Sequence, residues 1–582
     1  MKIINIFYAF FFIVIFTSCD YDYLNRQPLS DVSPEAFFQS EKDLDLYTNS
    51  FYSVIPDATG IYNEADDNIV KTGLADRIKG TRITPTSGGG WSWGELRKIN
   101  YFLQNYANNG LSEEEAKPYL AEARFFRAWF YFEKVKTFGD VPIYTEVIAA
   151  NDDESLYKSR DSRIEVMDFV MSDLDYAIAN LASTRSVDKI TKWTALALKS
   201  RVGLFEGTFR KYHTEMNLPG YEIFLNEAVE AARELMESGT YSIYKSSPET
   251  AYKELFASYD AIDEEVILAR KYSADLQLYH NVNYYTITAS YGKPGLEKSL
   301  VNSYLMQDGS RFTDQEGFNE LLFPEEVKNR DLRLSQTIRT PGYSRIGQTT
   351  VLPADFGASV TGYQLTKFVT ATSEDSYNRS YNDIPVFRYA EVLLNFAEAK
   401  AELGTLTQAD LDQSIALVRE RVAMPNIQIS LANSNPDPYI SEQYPNVSGE
   451  NMGVILEIRR ERRIELVMES YRWDDILRWK VGPQVVRQFK GMYFPGTGTF
   501  DLDENGSIDV VIYTGEKPTE KGPIYLQLGS EILLENGENG GLVIINPNIP
   551  KTFDESKDYF YPLPIQDLLI NDRLEQNPGW QN

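Results

Sequence analysis

Residues 121–143 read AEARFFRAWFYFEKVKTFGDVPI, and the fold turns on how this stretch is read. Ala121, Phe125, Ala128, Phe132 and Val135 advance by threes and fours, the spacing of one face of an α-helix. Gly139-Asp140-Val141-Pro142 follows, placing a glycine and a proline where such a helix has to stop. Small alanines alternate with large rings along that face, so a neighbouring helix can approach at the first and interlock at the second.

The same period recurs outward from this stretch. It appears at Val166, Val170, Leu174, Ala177 and Leu181; at Ala195, Leu198, Val202 and Phe205; and at Phe224, Ala228, Ala231 and Leu235. It returns at Val392, Phe396, Ala399 and Leu403, at Leu411, Ile415, Val418 and Val422, and across Val454 to Ser470. Consecutive helices with interlocking faces pack in pairs, as in tetratricopeptide repeats, although the spacing is too irregular for a regular array. The expected fold is mostly α: tetratricopeptide-like helix pairs forming a scaffold over about 34–240 and 386–480, in a single domain of residues 34–582.

Loop-rich insertions are expected over about 241–385 and 481–560, where glycine and proline scatter and helical period lapses. A few short strands belong there, among them Tyr284-Tyr285-Thr286-Ile287-Thr288, Asp509 to Tyr513 and Leu542 to Ile545.

The N-terminus sets the compartment. Lys2 precedes an apolar run from Ile3 to Phe16, and Thr17-Ser18 lead into Cys19, the only cysteine of 582 residues. The run is too short to span a bilayer and reads as a signal peptide over residues 1–18. A lipobox explains both the run and the cysteine: cleavage would leave Cys19 to carry lipid, with residues 19–33 as an extended tether. Ordinary secretion with an incidental cysteine is the alternative. A lone cysteine allows no internal disulfide, so the exported fold must rest on its core.

The formal charge of −28 repels nucleic acid and anionic lipid head groups, which leaves neutral ligands as the easier partners. The 38 tyrosines and 31 phenylalanines supply flat rings suited to sugar faces as well as to a core.

Catalytic chemistry finds little support. Nucleophilic triads need a base, and the two histidines, His213 and His280, stand apart in polar segments that read as surface. They are also too few for a zinc site. A pair of carboxylates suffices for glycoside hydrolysis, and 85 acidic residues leave that open. Yet Glu122 with Arg124 and Arg127, and Glu465, Glu469, Arg472, Asp475 and Arg478, fall at helical spacings that favour ion pairs.

One loop carries a metal signature. Asp501, Asp503, Asn505 and Asp509 put side-chain oxygens at positions one, three, five and nine with Gly506 at six, and Ser507 after it can offer a backbone carbonyl, the front half of a calcium loop. Ile512 stands where an EF-hand has its bidentate glutamate, so a structural calcium ion clamping a β-turn is expected, and an ion-free Asp/Asn/Gly turn is the alternative.

Ser87-Gly88-Gly89-Gly90-Trp91-Ser92-Trp93 is the foremost ligand candidate, since glycines let backbone approach a ligand and Trp91 and Trp93 offer broad stacking faces. The two rings share a side only if the piece is extended; otherwise one of them opens the helix through Glu95 to Tyr106. Arg77 and Arg82 flank the same loop and can donate to hydroxyls.

Seven segments in order resemble the SusD/RagB family of surface lipoproteins of bacterial polysaccharide utilisation. They are the 121–143 stretch, TKWTALALKSRVGLFEG at 191–207, LVNSYLMQDG at 300–309, NRDLRL at 329–334, RYAEVLLNFAEAKAELG at 388–404, ERRIELVMESYRWDDILRW at 461–479 and YPLPIQDLLINDRLEQNPGW at 561–580. The resemblance implies helix pairs supporting a loop-rich ligand-binding insertion. It also implies outer-membrane anchoring on the outside of the cell, and delivery of a glycan to a SusC-like TonB-dependent transporter without catalysis. It places glycan platforms in the loops before the 95–106 helix and before the LVNSYLMQDG segment, where Tyr284, Tyr285 and Tyr291 lie. Peptide or glycopeptide capture is the nearest rival, favoured by a polar groove with few coplanar rings. A surface glycoside hydrolase and a scaffold without any aromatic-lined depression are the others.

Overall fold

The computed structural model describes Phe38 and residues 40–109 and 111–581, so Cys19, the signal peptide and the tether lie outside the described residues. Helices α1 (Gly94–Asn105), α2 (Glu113–Phe138), α3 (Arg163–Asn180), α4 (Lys192–Tyr212) and α5 (Tyr221–Glu237) build the first half of the scaffold. Three of them start where the sequence offers a cap. Ser112, Ser162 and Thr191 each accept from the backbone N–H three residues on, relieving donors that a helix start leaves unpaired.

Helix α2 packs against α1 and α3, and α4 against α3 and α5. The face read from residues 121–135 is buried throughout: Ala121, Phe125, Ala128, Phe132 and Val135 are at most 1% exposed. Gly203 and Gly207 let α4 and α5 touch. A methyl at Gly203 would sit 2.6 Å from the Phe224 carbonyl oxygen, and one at Gly207 would sit 2.7 Å from Leu225 Cγ.

A short helix α6 (Val282–Ile287) precedes the second half, where α7 (Tyr389–Glu402) packs on α5, α8 (Met452–Glu465) on α7, and α9 (Arg472–Arg478) on α4. The strands are short. Strand β1 (Ile69–Val70) pairs antiparallel with β3 (Gly295–Leu296), β2 (Val266–Arg270) with β4 (Ile384–Arg388), and β5 (Phe489–Phe494) with β9 (Gly541–Ile545). A three-stranded sheet joins β6 (Gly498–Phe500) antiparallel to β7 (Val510–Tyr513), which pairs in parallel with β8 (Ile524–Gln527). No helix among the described residues is long and apolar enough to cross a membrane.

Charge is buried around α8 and α9. Glu465 accepts from Arg333, Arg388 and Arg421, all at most 2% exposed. Asp67 takes Arg463 and Arg472. Burial alone would raise these carboxyls, but the guanidinium groups hold Glu465 and Asp67 far below the usual carboxylate range.

Several sequence expectations change. Tyr284-Tyr285-Thr286-Ile287-Thr288 is not a strand: it lies within and just after α6, because Val282, Asn283 and Thr286 are buried at helical spacing and the Thr286 hydroxyl donates back to the Val282 carbonyl (2.7 Å). The helix expected through Leu411–Val422 breaks at Ser414, whose Oγ donates to the Asp410 carbonyl (2.6 Å). His213 and His280 are buried, not at the surface, and burial lowers each to about 4. Ion pairs form with distant partners as well as local ones: Asp475 pairs with Arg478 as the spacing implied, but Arg127 pairs with Asp173 (2.7 Å), while Glu122 accepts from the Tyr52 hydroxyl (2.6 Å).

Candidate ligand-binding site

Helix α6 and the turn Ala289–Tyr291 bring Tyr284, Tyr285 and Tyr291 together, and distant parts of the chain complete the group with Tyr62 and Tyr377. Tyr285 and Tyr291 have ring centroids 4.7 Å apart, and Tyr62 lies 4.9 Å from Tyr285 and 5.0 Å from Tyr291. Tyr62 is buried beneath; Tyr284, Tyr285 and Tyr291 are half-buried; Tyr377 is 61% exposed. The rings are inclined, with 46° between Tyr62 and Tyr285, 51° between Tyr285 and Tyr291 and 84° between Tyr284 and Tyr377. The Lys71 ammonium sits 4.1 Å from the Tyr291 ring centre and donates to Asn63 Oδ1 (2.6 Å). Rings, phenolic hydroxyls and one ammonium form a partly open surface with both stacking faces and hydrogen-bonding groups.

Arg77 stands over the Trp473 ring at 4.2 Å and donates to the carbonyls of Ala65 and Glu64. It lines a cleft of about 430 Å³ together with Glu64, Glu133, Lys136 and Asp474. Burial raises the Glu64 carboxyl and moves that of the neighbouring Asp66 up to about 6.

The tryptophan stretch is a turn, not an extended piece. Gly88, Gly89 and Gly90 all have positive φ (74°, 57° and 88°), and Trp91 N–H donates to the Gly88 carbonyl at 2.9 Å. Trp91 packs edge-on against Phe138 and is 6% exposed, while Trp93 is the residue that opens α1. Their rings stand at 88° rather than side by side. Both nonetheless line one cleft of about 360 Å³, with Arg97, Tyr144, Tyr157 and Ile570. Lys134 lies behind Trp93 and donates to the Gly90 carbonyl; burial lowers its ammonium to about 8. Arg82 is turned elsewhere: it pairs with Asp558 (2.9 Å) against the rings of Tyr561 and Trp580, its side chain 7% exposed.

In the 501–509 loop, Asp501, Asp503 and Asp509 each bring a carboxylate oxygen within 4.8 Å of the others. Asn505 accepts from Ser507 N–H at 2.7 Å, and the Ser507 side chain is exposed.

A family model described as the SusD family matches residues 264–580 of this 582-residue chain. The chain belongs to the SusD family. A second model, described as starch-binding and associating with the outer membrane, matches residues 91–204. SusD-like protein P38 of Formosa agariphila is 24% identical over 504 residues, 82% of this chain and 91% of that protein. A SusD-like protein of Bacteroides ovatus is 21% identical, covering 97% of this chain and 96% of its own. Among solved structures, a SusD-like carbohydrate-binding protein from Bacteroides fragilis superposes with a TM-score of 0.68 at 22% identity, covering 93% of this chain and all of the other. A laminarin-binding SusD-like protein superposes with a TM-score of 0.55 at 19% identity, over 93% of this chain and all of its own. At these identities the superpositions speak for the fold.

Within this SusD-family fold, sequence reasoning missed Tyr62, Lys71 and Tyr377, which join the tyrosine group from residues far along the chain. The Tyr residues of 284–291 were legible because the family resemblance pointed to their loop; nothing local distinguishes Tyr62 from a core tyrosine.

Proposed function

We propose that this chain captures oligo- or polysaccharide at the cell surface and delivers it to a SusC-like TonB-dependent outer-membrane transporter, performing no catalysis. It is anchored to the outer membrane through lipid on Cys19 and faces the exterior. The observation that carries the reading is the half-open tyrosine group of Tyr284, Tyr285, Tyr291 and Tyr377 beside Lys71 in the loop-rich part of the chain. Rings of this kind give a sugar apolar faces to stack on and hydroxyls to bond, without the cost of ordering long flexible side chains. The tryptophan-lined cleft is a second aromatic depression, which speaks against a scaffold with no small ligand. Family membership and the laminarin-binding neighbour favour glycan as the cargo.

Peptide or glycopeptide capture is the second reading, favoured by the mutual inclination of the rings. Calorimetry of the purified protein against polysaccharides, oligosaccharides and peptides, with product analysis of each mixture, separates the readings. Saturable glycan binding without products, weakened about fivefold or more by Tyr285→Ala, is expected, since a lost stacking contact on an aromatic ring is worth roughly 1–3 kcal/mol. Cleavage products would make the chain an enzyme, and binding to peptides alone would overturn the glycan assignment.

A further inference from the structure

The loop between β6 and β7 gathers negative charge without a balancing cation. Asp501, Asp503 and Asp509 place carboxylate oxygens within 4.8 Å of one another, and none of the three forms an ion pair with a basic side chain among the described residues. The nearest lysine contact in the loop goes to Glu504 instead, at 3.0 Å from Lys328. Asp503 is 7% exposed, and its Oδ2 is buried with no hydrogen-bond partner among the described residues. Leaving a buried polar oxygen without a partner is costly unless a cation meets it.

The backbone is already wound for such a cation. Asp501 Oδ1 accepts from the N–H groups of Asp503 (3.2 Å) and Asn505 (3.3 Å), and Oδ2 from Gly506 N–H (2.7 Å). Glu504 and Gly506 take the positive φ values (58° and 85°) that bend the chain around a centre. Carboxylate, amide and backbone oxygens at this spacing suit a hard cation that accepts six to eight oxygens, which is the preference of calcium over magnesium.

We propose that the loop Asp501–Asp509 is a calcium site that clamps the β6–β7 hairpin. Asp501, Asp503 and Asp509 supply the charge, Asn505 a side-chain oxygen and Ser507 an oxygen. Ile512, buried in β7, leaves the twelfth position of the loop without an acid, so affinity falls in the weak range of extracellular sites, on the order of 10⁻⁴ to 10⁻³ M. The clamp has a structural reach. Phe500, the last residue of β6, packs on Phe494 (4.8 Å), Phe494 packs on Phe356 (5.8 Å), and the Phe356 carbonyl accepts from Lys293, two residues after Tyr291. The metal therefore stiffens one wall behind the tyrosine group, and the proposal stands whether or not those rings bind glycan.

The test is titration of the chelator-treated protein with calcium chloride, with magnesium chloride as comparator, followed by calorimetry and thermal unfolding. One saturable calcium site is expected, with a melting temperature that rises with calcium and not with equal magnesium. Asp503→Asn should abolish both effects; if it fails to fold, Asn505→Ala, at an exposed position, should weaken binding at least several-fold. No binding up to roughly 10 mM calcium, well above the expected range, overturns the proposal. So does an equal response to magnesium, or unchanged calcium affinity in a folded variant.

Discussion

Arg472 donates from Nε and Nη2 to the two carboxylate oxygens of Asp67, at 2.6 and 2.8 Å, across 405 residues of chain. Arg463 and Arg487 reach the same carboxylate. Both members of the bidentate pair are at most 3% exposed, so removing one leaves the other charged and unmatched in the core. Asp67→Asn is expected to cost about 3–5 kcal/mol of unfolding free energy in a urea titration. A loss below roughly 1 kcal/mol would mean that water enters and screens the cluster.

The α4–α5 contact sets a second expectation. Ala at Gly203 would put its methyl 2.6 Å from a backbone carbonyl oxygen, which no rotamer change can relieve. Despite its better helix propensity, Gly203→Ala is expected to destabilise by about 1–3 kcal/mol, as overpacking does. A variant as stable as the parent would show that α5 can shift without penalty.

His213 predicts a pH signature. Its Nε2 donates to the Leu477 carbonyl (2.8 Å) and its ring stacks on Phe209 at 4.0 Å, with burial lowering it from 6.5 to about 4. The unfolded chain therefore takes the proton first on acidification. The stability owed to the neutral ring is complete above pH 6.5 and is lost as pH falls toward 4, at about 1.4 kcal/mol per unit. The destabilisation produced by His213→Phe should accordingly shrink across that window in unfolding curves recorded at successive pH values. A pH-independent difference would place the ring in water.

Arg82 separates stability from binding. Held by Asp558 and the rings of Tyr561 and Trp580, it ties the 82–86 segment to the C-terminus. Arg82→Ala is expected to lower the melting temperature by several degrees, consistent with a loss of about 1–3 kcal/mol, and to leave affinity for the best glycan of the panel within twofold. A tenfold loss of affinity with unchanged stability would return Arg82 to the ligand surface.

Helices were legible because their period is local: the spacing of Ala121 through Val135, or of Phe224 through Leu235, needs no knowledge of partners. Gly506 and the alternating oxygens around it marked the β6–β7 turn for the same reason. What the sequence could not reveal depends on who meets whom. Glu465 could have paired with a neighbour on its own helix, yet it collects Arg333, Arg388 and Arg421 from three other segments. Tyr284 and Tyr285 looked like strand residues because β-branched and aromatic types crowd there, and tertiary burial of Val282 and Thr286 overrode that preference. Trp91 and Trp93 illustrate both cases: the cleft they line lies where the stretch pointed, but three left-handed glycines turn the rings perpendicular.

The tilt between the tyrosine rings limits what can rest on them. A flat ribbon can lie face-down on only one of two planes inclined by 51°, as Tyr285 and Tyr291 are, and meets the next at its edge. A chain that bends as it runs can present a fresh face to each ring in turn. If these rings hold the proposed glycan, the tilt would select by curvature, favouring polymers that coil as they run before any hydroxyl is recognised.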